Sequence, residues 1–348
     1  MFGRHKGAKT AFATGLVALH WLCRATDFGQ IAVGRDGAAP IRSAKATRLP
    51  CKDLEGSNDT LVVLRTGSTE LEERLGIQLS TSIRCFPNYL IFSDLDETYL
   101  GERIIDALEH VDANISNHHP DFELYRRLKK DGRSSLDASE LATLPDAIAN
   151  MSGNLMNPGW KLDKWKFLPM LNRTLHERPS MKWYVFMEAD TFLFWSTLQQ
   201  YLASMDPSEP IYAGNKMFIG DTGFAHGGSG FVVSQPALQI VVKNYEAHKA
   251  EIQKFTDNHW AGDCVLAKVF LDAGIPLTNA WPIFQSDHPG ILPYLEVDDH
   301  SAQDKHLPKW CHPTISYHHM TPAMIMGLWQ LEQDWMLNKT AVRTELHQ

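Results

Sequence analysis

Apolar residues along this chain fall into two alternating spacings. Short branched or aromatic runs at Leu61–Leu64, Tyr89–Phe92 and Trp183–Met187 predict buried strands. Between the first two, Leu71, Leu75, Leu79 and Ile83 recur every fourth position, which puts them on one face of a helix over Glu70–Ile83. The sequence Thr66-Gly67-Ser68-Thr69 supplies the turn, so the segment reads as a parallel βαβ unit. Helical stretches are predicted at Ile104–Val111, Trp160–Leu175, Ser196–Ala203, Gln235–His248 and Cys264–Ala273, with a short strand near Ile211–Ala213. A closing helix over Pro322–Asn338 places Met324, Leu328, Leu331 and Trp335 on one side. This alternation predicts an α/β fold, a Rossmann-like mixed sheet flanked by helices.

The pattern also marks boundaries. Residues 24–57 mix Gly, Ala, Arg and Pro without periodicity and read as a stem or linker, and 58–338 as the folded domain. Within it 112–158 is polar and rich in breakers, a variable insertion with a helix or two, and 339–348 is a tail. Residues 1–23 pair a basic start (Arg4, His5, Lys6, Lys9) with an apolar run, Thr10–Cys23, that is shorter than a spanning helix and reads as a weak signal anchor.

Composition narrows the class. At 44% hydrophobic and 21% charged, the 348 residues are neither disordered nor fibrous. Residues 1–52 hold 9 basic and 2 acidic side chains and the rest 24 and 39, a body near −15 that repels nucleic acid. Asn-x-Ser/Thr acceptors at Asn58, Asn114, Asn150, Asn172 and Asn338 exceed the one or two expected by chance, as in a glycosylated secretory protein. Beyond the leader lie Cys51, Cys85, Cys264 and Cys311, an even set that allows three pairings in an oxidising lumen, with no zinc-like spacing.

Four places carry chemistry. Glu188-Ala189-Asp190 follows the strand Trp183–Met187, at the edge where open α/β sheets bind ligands. Two carboxylates there can converge on Mg²⁺ or Mn²⁺, although taken alone the triplet fits a helix cap or a solvated turn better, and its place after an apolar strand is what favours a metal. Gly227-Gly228-Ser229-Gly230 lacks the Lys-Ser/Thr of a phosphate loop and allows close backbone approach to a ligand or a strand. Asp263 opens a helix, where its spacing alone favours an N-cap and the alternative is a general base. His318 and His319, on an extended stretch, point to opposite faces, so one at most enters a site there. With 10 tryptophans in the chain a core role is the first reading for each, Trp260 and Trp310 being candidates to stack on a sugar.

In this order, Thr66, Ser93-Asp94, Trp183–Thr191, Phe224–Ser234, Gly262-Asp263-Cys264 and Ser316–His319 resemble glycosyltransferase family 31, in its Fringe and core 1 beta-1,3-galactosyltransferase-like branch, over about residues 59–335. The resemblance implies a GT-A fold, a UDP-sugar donor, Mn²⁺ or another divalent cation, and inverting transfer to a glycan or glycoprotein hydroxyl through a beta-1,3 linkage. It implies Asp190 and His318 as metal ligands, with Glu188, where the family normally has Asp, at the metal or the donor. Thr66, Arg74 and Asp94 match donor-side positions, and Gly227 and Gly228 would lie against the donor. Asp263 matches the presumed base, with Gly262 where the family has a second acid. The Golgi lumen and a type II anchor are the expected setting. A bond joining Cys264 to Cys311 would fasten base and metal elements together, leaving Cys51 with Cys85. The competing reading is an inactive GT-A relative serving as a chaperone or sugar-binding module; a phosphohydrolase fits less well, lacking further Asp/His clusters.

Overall fold

The computed structural model describes residues 49–141, 157–292 and 312–345. Its strands are β1 (Thr60–Arg65), β2 (Tyr89–Ser93), β3 (Glu97–Tyr99), β4 (Glu102–Asp106), β5 (Trp183–Glu188), β6 (Phe192–Leu193), β7 (Tyr212–Gly214), β8 (Lys216–Ile219), β9 (Thr222–Ala225), β10 (Phe231–Ser234), β11 (Leu277–Asn279) and β12 (Ser316–Tyr317). Its helices are α1 (Leu71–Ser80), α2 (Ala113–His118), α3 (Glu123–Asp131), α4 (Pro158–Glu177), α5 (Trp195–Ala203), α6 (Gln235–Ala247), α7 (Lys249–Asp257), α8 (Gly262–Asp272) and α9 (Pro322–Glu345). Eight strands form one sheet in the order β11-β7-β10-β5-β1-β2-β4-β3. Its centre, β5, β1, β2 and β4, is parallel, while β10 runs antiparallel to β5 and β7. This is the α/β arrangement of a GT-A fold.

The twofold alternation of each strand divides the core into two layers. Leu61 and Val63 of β1 face one way, into Phe167 and Leu171 of α4, Val241 of α6 and Phe270 of α8. Val62 and Leu64 face the other, into Leu71 and Leu75 of α1, Trp195 and Leu198 of α5 and Met336 of α9. β1 is therefore buried along its whole length, and each such side chain contributes about 1.5–3 kcal/mol. Loops at the carboxyl ends of β1 and β5 are thus anchored on the most rigid part of the sheet.

The structure departs from the sequence expectations in five places. Ile104–Val111 is not helical: Glu102–Asp106 is β4, paired parallel to β2, and turns follow it. Ile104 and Ile105 are β-branched, which suits a strand, and their burial inside the sheet decides the matter. The folded body starts before residue 58: Pro50–Asp53 is a 3-10 turn, and Cys51, bonded to Cys85, is buried in the second core layer. Cys264 is a free, buried thiol rather than a disulfide partner, and Cys311 lies outside the described residues. Burial pushes the Cys264 thiol up to about 11. On α9 the inward residues are Ile325, Glu332, Gln333 and Met336, whereas Leu331 and Trp335 are exposed. Fifth, His318 and His319 do not point apart; their arrangement is described below.

The leader, most of the expected stem, Asn150 and Trp310 lie outside the described residues. Among the described residues no helix is long and apolar enough to cross a membrane. The insertion contains α2 and α3, and its residues 142–156 are likewise not described.

Candidate active site

Three segments far apart in sequence meet at the carboxyl end of β5. The first is the turn Glu188–Thr191, in which the Thr191 hydroxyl accepts from the Glu188 N–H at 3.2 Å. That hydroxyl donates to the Gly228 carbonyl at 2.6 Å, tying the turn to the glycine loop. The Ser316 hydroxyl donates to the Ser229 carbonyl at 2.5 Å, tying the loop to β12. β12 pairs antiparallel with β6, immediately after the acidic turn, and the Met320 N–H donates to the Asp190 carbonyl at 3.0 Å. From the other side Gln78 of α1, fully buried, donates to the carbonyls of Ala189 and Thr191 at 2.9 and 2.8 Å. The turn's backbone is thereby satisfied from three directions, which fixes where its side chains point.

Those side chains form a buried charged cluster. Asp190 faces Arg74 Nη1 at 3.0 Å through Oδ2 and His318 Nε2 at 3.3 Å through Oδ1. Arg74 also pairs with Glu70 at 2.9 Å. Glu188 is gripped through Oε1 by Arg65, whose other terminal nitrogen holds Asp163 at 2.5 Å, and its Oε2 lies 3.6 Å from His318 Nε2. The Arg65 guanidinium lies 3.9 Å over the Phe167 ring, a stacked cation geometry. Burial pushes the Glu188 carboxyl upward, yet Arg65 and His318 outweigh it and hold the group well below the usual carboxylate range. Arg74 and His318 do the same for Asp190 against its own burial. Burial pulls the His318 imidazole down, and Asp190 and Glu188 overcome it, raising it to about 10.

His319 joins this cluster. β12 ends at Tyr317, and His319 adopts a left-handed backbone with φ of 54°. The strand alternation is therefore broken at this step, and the two imidazoles come to 3.9 Å between centroids. Ligand atoms of Asp190, His318 and His319 all lie within 4.8 Å of one another. Asp190 Oδ1 is buried and makes no hydrogen bond. One carboxylate and two imidazoles form a donor set suited to a first-row divalent cation such as Mn²⁺, and the negative field that holds a proton on His318 would equally favour a cation there. The residues fit a metal. Glu188, already bound by Arg65, borders this set.

The glycine loop is shaped by that histidine. A Cβ on Gly228 would meet His318 Cε1 at 2.2 Å, so only glycine lets the ring lie against the loop. Gly230, at φ of 79°, turns the chain into β10, and a Cβ there would meet the Phe186 carbonyl at 2.9 Å. The Gly227 N–H donates to Asp263 Oδ2 at 3.0 Å, and the Cys264 N–H to Asp263 Oδ1 at 2.9 Å. Asp263 is in the first turn of α8, whose N-cap is Ala261, so it is not itself the cap. Burial is the main influence on it and pushes its pKa up to about 6. Gly262 has a steric reason: a Cβ would meet Phe167 Cδ2 at 2.4 Å and the Lys164 Cα at 2.6 Å, leaving no room for an acidic side chain between α8 and α4.

A cavity of about 810 Å³ connects these groups. Arg74, Glu188, Asp190, Gly228, Asp263 and His318 all line it. Thr66 and Asp94 stand behind its wall. The Thr66 carbonyl accepts from Lys166 at 2.9 Å, and Asp94, fully buried, accepts from the Ser68 and Ser93 hydroxyls and the Ser68 N–H and faces Lys166 at 3.4 Å. Gly227 also lies outside the lining, presenting its N–H to Asp263. Arg65, Glu70, Asp163, Lys166 and His226, none of them a predicted site residue, line the cavity, and His319 lines it together with His318. Arg65 was open to inference, as a cation ending the β1 run beside Thr66 at the sheet's ligand-binding edge. Asp163 lies amid charged positions of a helix, and no sequence spacing marks it.

A family model described as Fringe-like matches residues 56–334 of this chain. A mouse (Mus musculus) protein described as a beta-1,3-glucosyltransferase is 27% identical over 119 residues, covering 33% of this chain and 22% of that protein.

Proposed function

The chain belongs to the Fringe-like family, and on that footing we propose that it is a metal-dependent inverting glycosyltransferase that moves a sugar from a UDP-sugar to a hydroxyl of a glycan or glycoprotein. The observation that supports this most directly is that one cavity brings the Asp190, His318 and His319 donor set together with the half-buried carboxylate of Asp263. A beta-1,3 linkage is supported by the description of the mouse relative.

Asp190, His318 and His319 would hold the cation, which supplies Lewis-acid neutralisation of the leaving diphosphate. Arg74 and Arg65 keep the Asp190 and Glu188 carboxylates ionised and fixed. Asp263 is aimed by two backbone N–H groups. With a pKa near 6 it is largely ionised at neutral pH yet basic enough to accept a proton, the compromise a general base needs. It takes the acceptor hydroxyl's proton as that oxygen bonds to the anomeric carbon. The bond from that carbon to the diphosphate breaks on the opposite face, and its electron pair leaves with UDP. A single displacement of this kind inverts the anomeric configuration. The Cys51–Cys85 disulfide and the acceptor asparagines support an oxidising secretory setting, for which we propose the Golgi lumen, with the basic apolar leader as type II anchor.

Calorimetric titration of UDP into the purified chain, with Mn²⁺ and with EDTA, tests the reading. Binding only with the metal is expected. UDP that binds under neither condition would favour an inactive relative.

A further inference from the structure

His318 is held from behind as well as from the cavity. Its Nε2 faces Asp190 at 3.3 Å, and its Nδ1 lies 3.3 Å from the Ser286 carbonyl oxygen. A carbonyl only accepts, so Nδ1 carries a proton and donates, and only Nε2 can offer a lone pair to a cation. Ser286 reaches this point because the chain before it runs beside β12. Phe284 bridges to Ser316 in parallel, the Ile315 N–H donates to the Ile283 carbonyl at 2.6 Å, and the Gln285 N–H donates to the Ser316 carbonyl at 3.1 Å. Phe284, fully buried in the second core layer, anchors the stretch. Past Gln285 a side chain takes over: Asn215 Nδ2 donates to the Ser286 hydroxyl at 2.6 Å. Asn215 is 5% exposed at the corner between β7 and β8, where its carbonyl accepts from the His226 N–H at 2.9 Å. The Ser286 hydroxyl points its own proton at Met217 Sδ, 3.8 Å away, which leaves its lone pairs for Asn215.

We propose that Asn215 and Ser286 are positioning residues for the cation site, holding the His318 imidazole with Nε2 toward Asp190. The inference rests on the metal-dependent reading and extends it from the donor atoms to the groups that aim them. A histidine that binds a metal gains ligand strength and a fixed ring orientation when a carbonyl holds its other N–H. Here the carbonyl must itself be held, because Ser286 lies beyond the last backbone bond to β12. Its hydroxyl takes that hold from the β7–β8 corner, which is remote from β12 in sequence. The ring is then fixed on two sides: its face by Gly228, whose missing Cβ leaves room for it, and its Nδ1 edge by Ser286. An asparagine suits the corner, since its amide donates without adding charge. A lysine or arginine there would donate equally well but would repel a cation at the neighbouring site.

Calorimetric titration of UDP into the full chain across a series of Mn²⁺ concentrations gives the Mn²⁺ level that supports half-maximal affinity, and denaturant unfolding without metal gives stability separately. Ser286→Ala, at a half-buried position, and Asn215→Ala should each raise that level about tenfold, the lower end of what losing an outer partner costs a metal site. Ser286→Thr keeps the hydroxyl and should restore a Mn²⁺ requirement close to that of wild type. If Asn215→Ala fails to fold, Ser286→Ala and Ser286→Thr decide the matter between them. A purely structural role lowers the unfolding midpoint and leaves the Mn²⁺ requirement unchanged, and that result would overturn the inference. Equal losses of metal response in Ser286→Ala and Ser286→Thr would overturn it too. UDP binding by the wild type that ignores Mn²⁺ would overturn the metal-dependent reading itself, and the positioning role with it.

Discussion

On one side of the cavity Asp190 is 3% exposed and flanked by an arginine and two histidines; on the other Trp260 is 57% exposed and lies nearly parallel to the rings of Trp160 and His259. The acidic turn grows directly out of the central strand β5 and is fastened by Thr191, Gln78 and β12. The aromatic wall comes from helix ends and a two-stranded hairpin attached to the sheet's flank. The first region can hold a dense set of like charges because every carboxylate has a cation within reach. The second keeps apolar area unsatisfied for a ligand to cover. A cluster of buried charges tolerates little movement, whereas exposed aromatic side chains on helix ends and a hairpin can be replaced without perturbing the sheet.

Substitutions separate the two sides. The largest effect is expected from Asp263→Asn, which should lower transfer by about 10²- to 10⁴-fold while calorimetry still finds metal-dependent UDP binding. Asp190→Ala should do the converse, abolishing the Mn²⁺ requirement of UDP binding along with most of its affinity, as EDTA should in the wild type. Gly228→Ala, whose new methyl would collide with His318, should weaken UDP by about tenfold and cost about 1–3 kcal/mol in denaturant unfolding. Trp260→Ala, by contrast, should leave both the unfolding midpoint and the calorimetric affinity for UDP nearly unchanged, since the indole is 57% exposed and takes no part in the charged cluster's salt bridges.

The pH dependence sharpens the same contrast. The Asp263 pKa is raised, so kcat/KM should climb with pH through about 6 as the base ionises, provided the acceptor is held well below saturation. For stability the sign is opposite: this group's contribution is fully present below its unfolded value near 3.8 and is lost as pH rises through about 6. Glu188 and Asp190 behave the other way, their depressed values adding stability above the ordinary carboxylate range that disappears on acidification. A rate profile flat between pH 5 and 7 would remove Asp263 from its role.

Much of the acidic side of the cavity was legible in the sequence because local pattern determines it. A five-residue apolar run followed by Glu188-Ala189-Asp190 reads as a buried strand with acids at its end, and glycines before Phe231 announce close backbone approach. What escaped depended on contacts between distant segments. The Ile104-Ile105 pair becomes a strand through its neighbour β2, and His319 reaches the cluster only because the backbone turns left-handed after β12. Arg65 and Asp163 pair across residues that no local window contains. Leu331 and Trp335 of α9 show the limit of periodicity, since apolar spacing could not reveal that Glu332, buried against the Ser196 hydroxyl and N–H at 2.9 Å, faces inward instead.

The closing of β12 onto β6 has a temporal consequence. Asp190 leaves the ribosome long before His318 and His319, and β6 has no antiparallel partner until Ser316 and Tyr317 emerge. During synthesis the parallel core from β1 to β5 can collapse first, with its acidic turn still open to water. The donor set of one aspartate and two histidines is therefore complete only once His319 has been made, and a nascent chain halted before Ser316 would carry every strand of the eight-stranded sheet without that set.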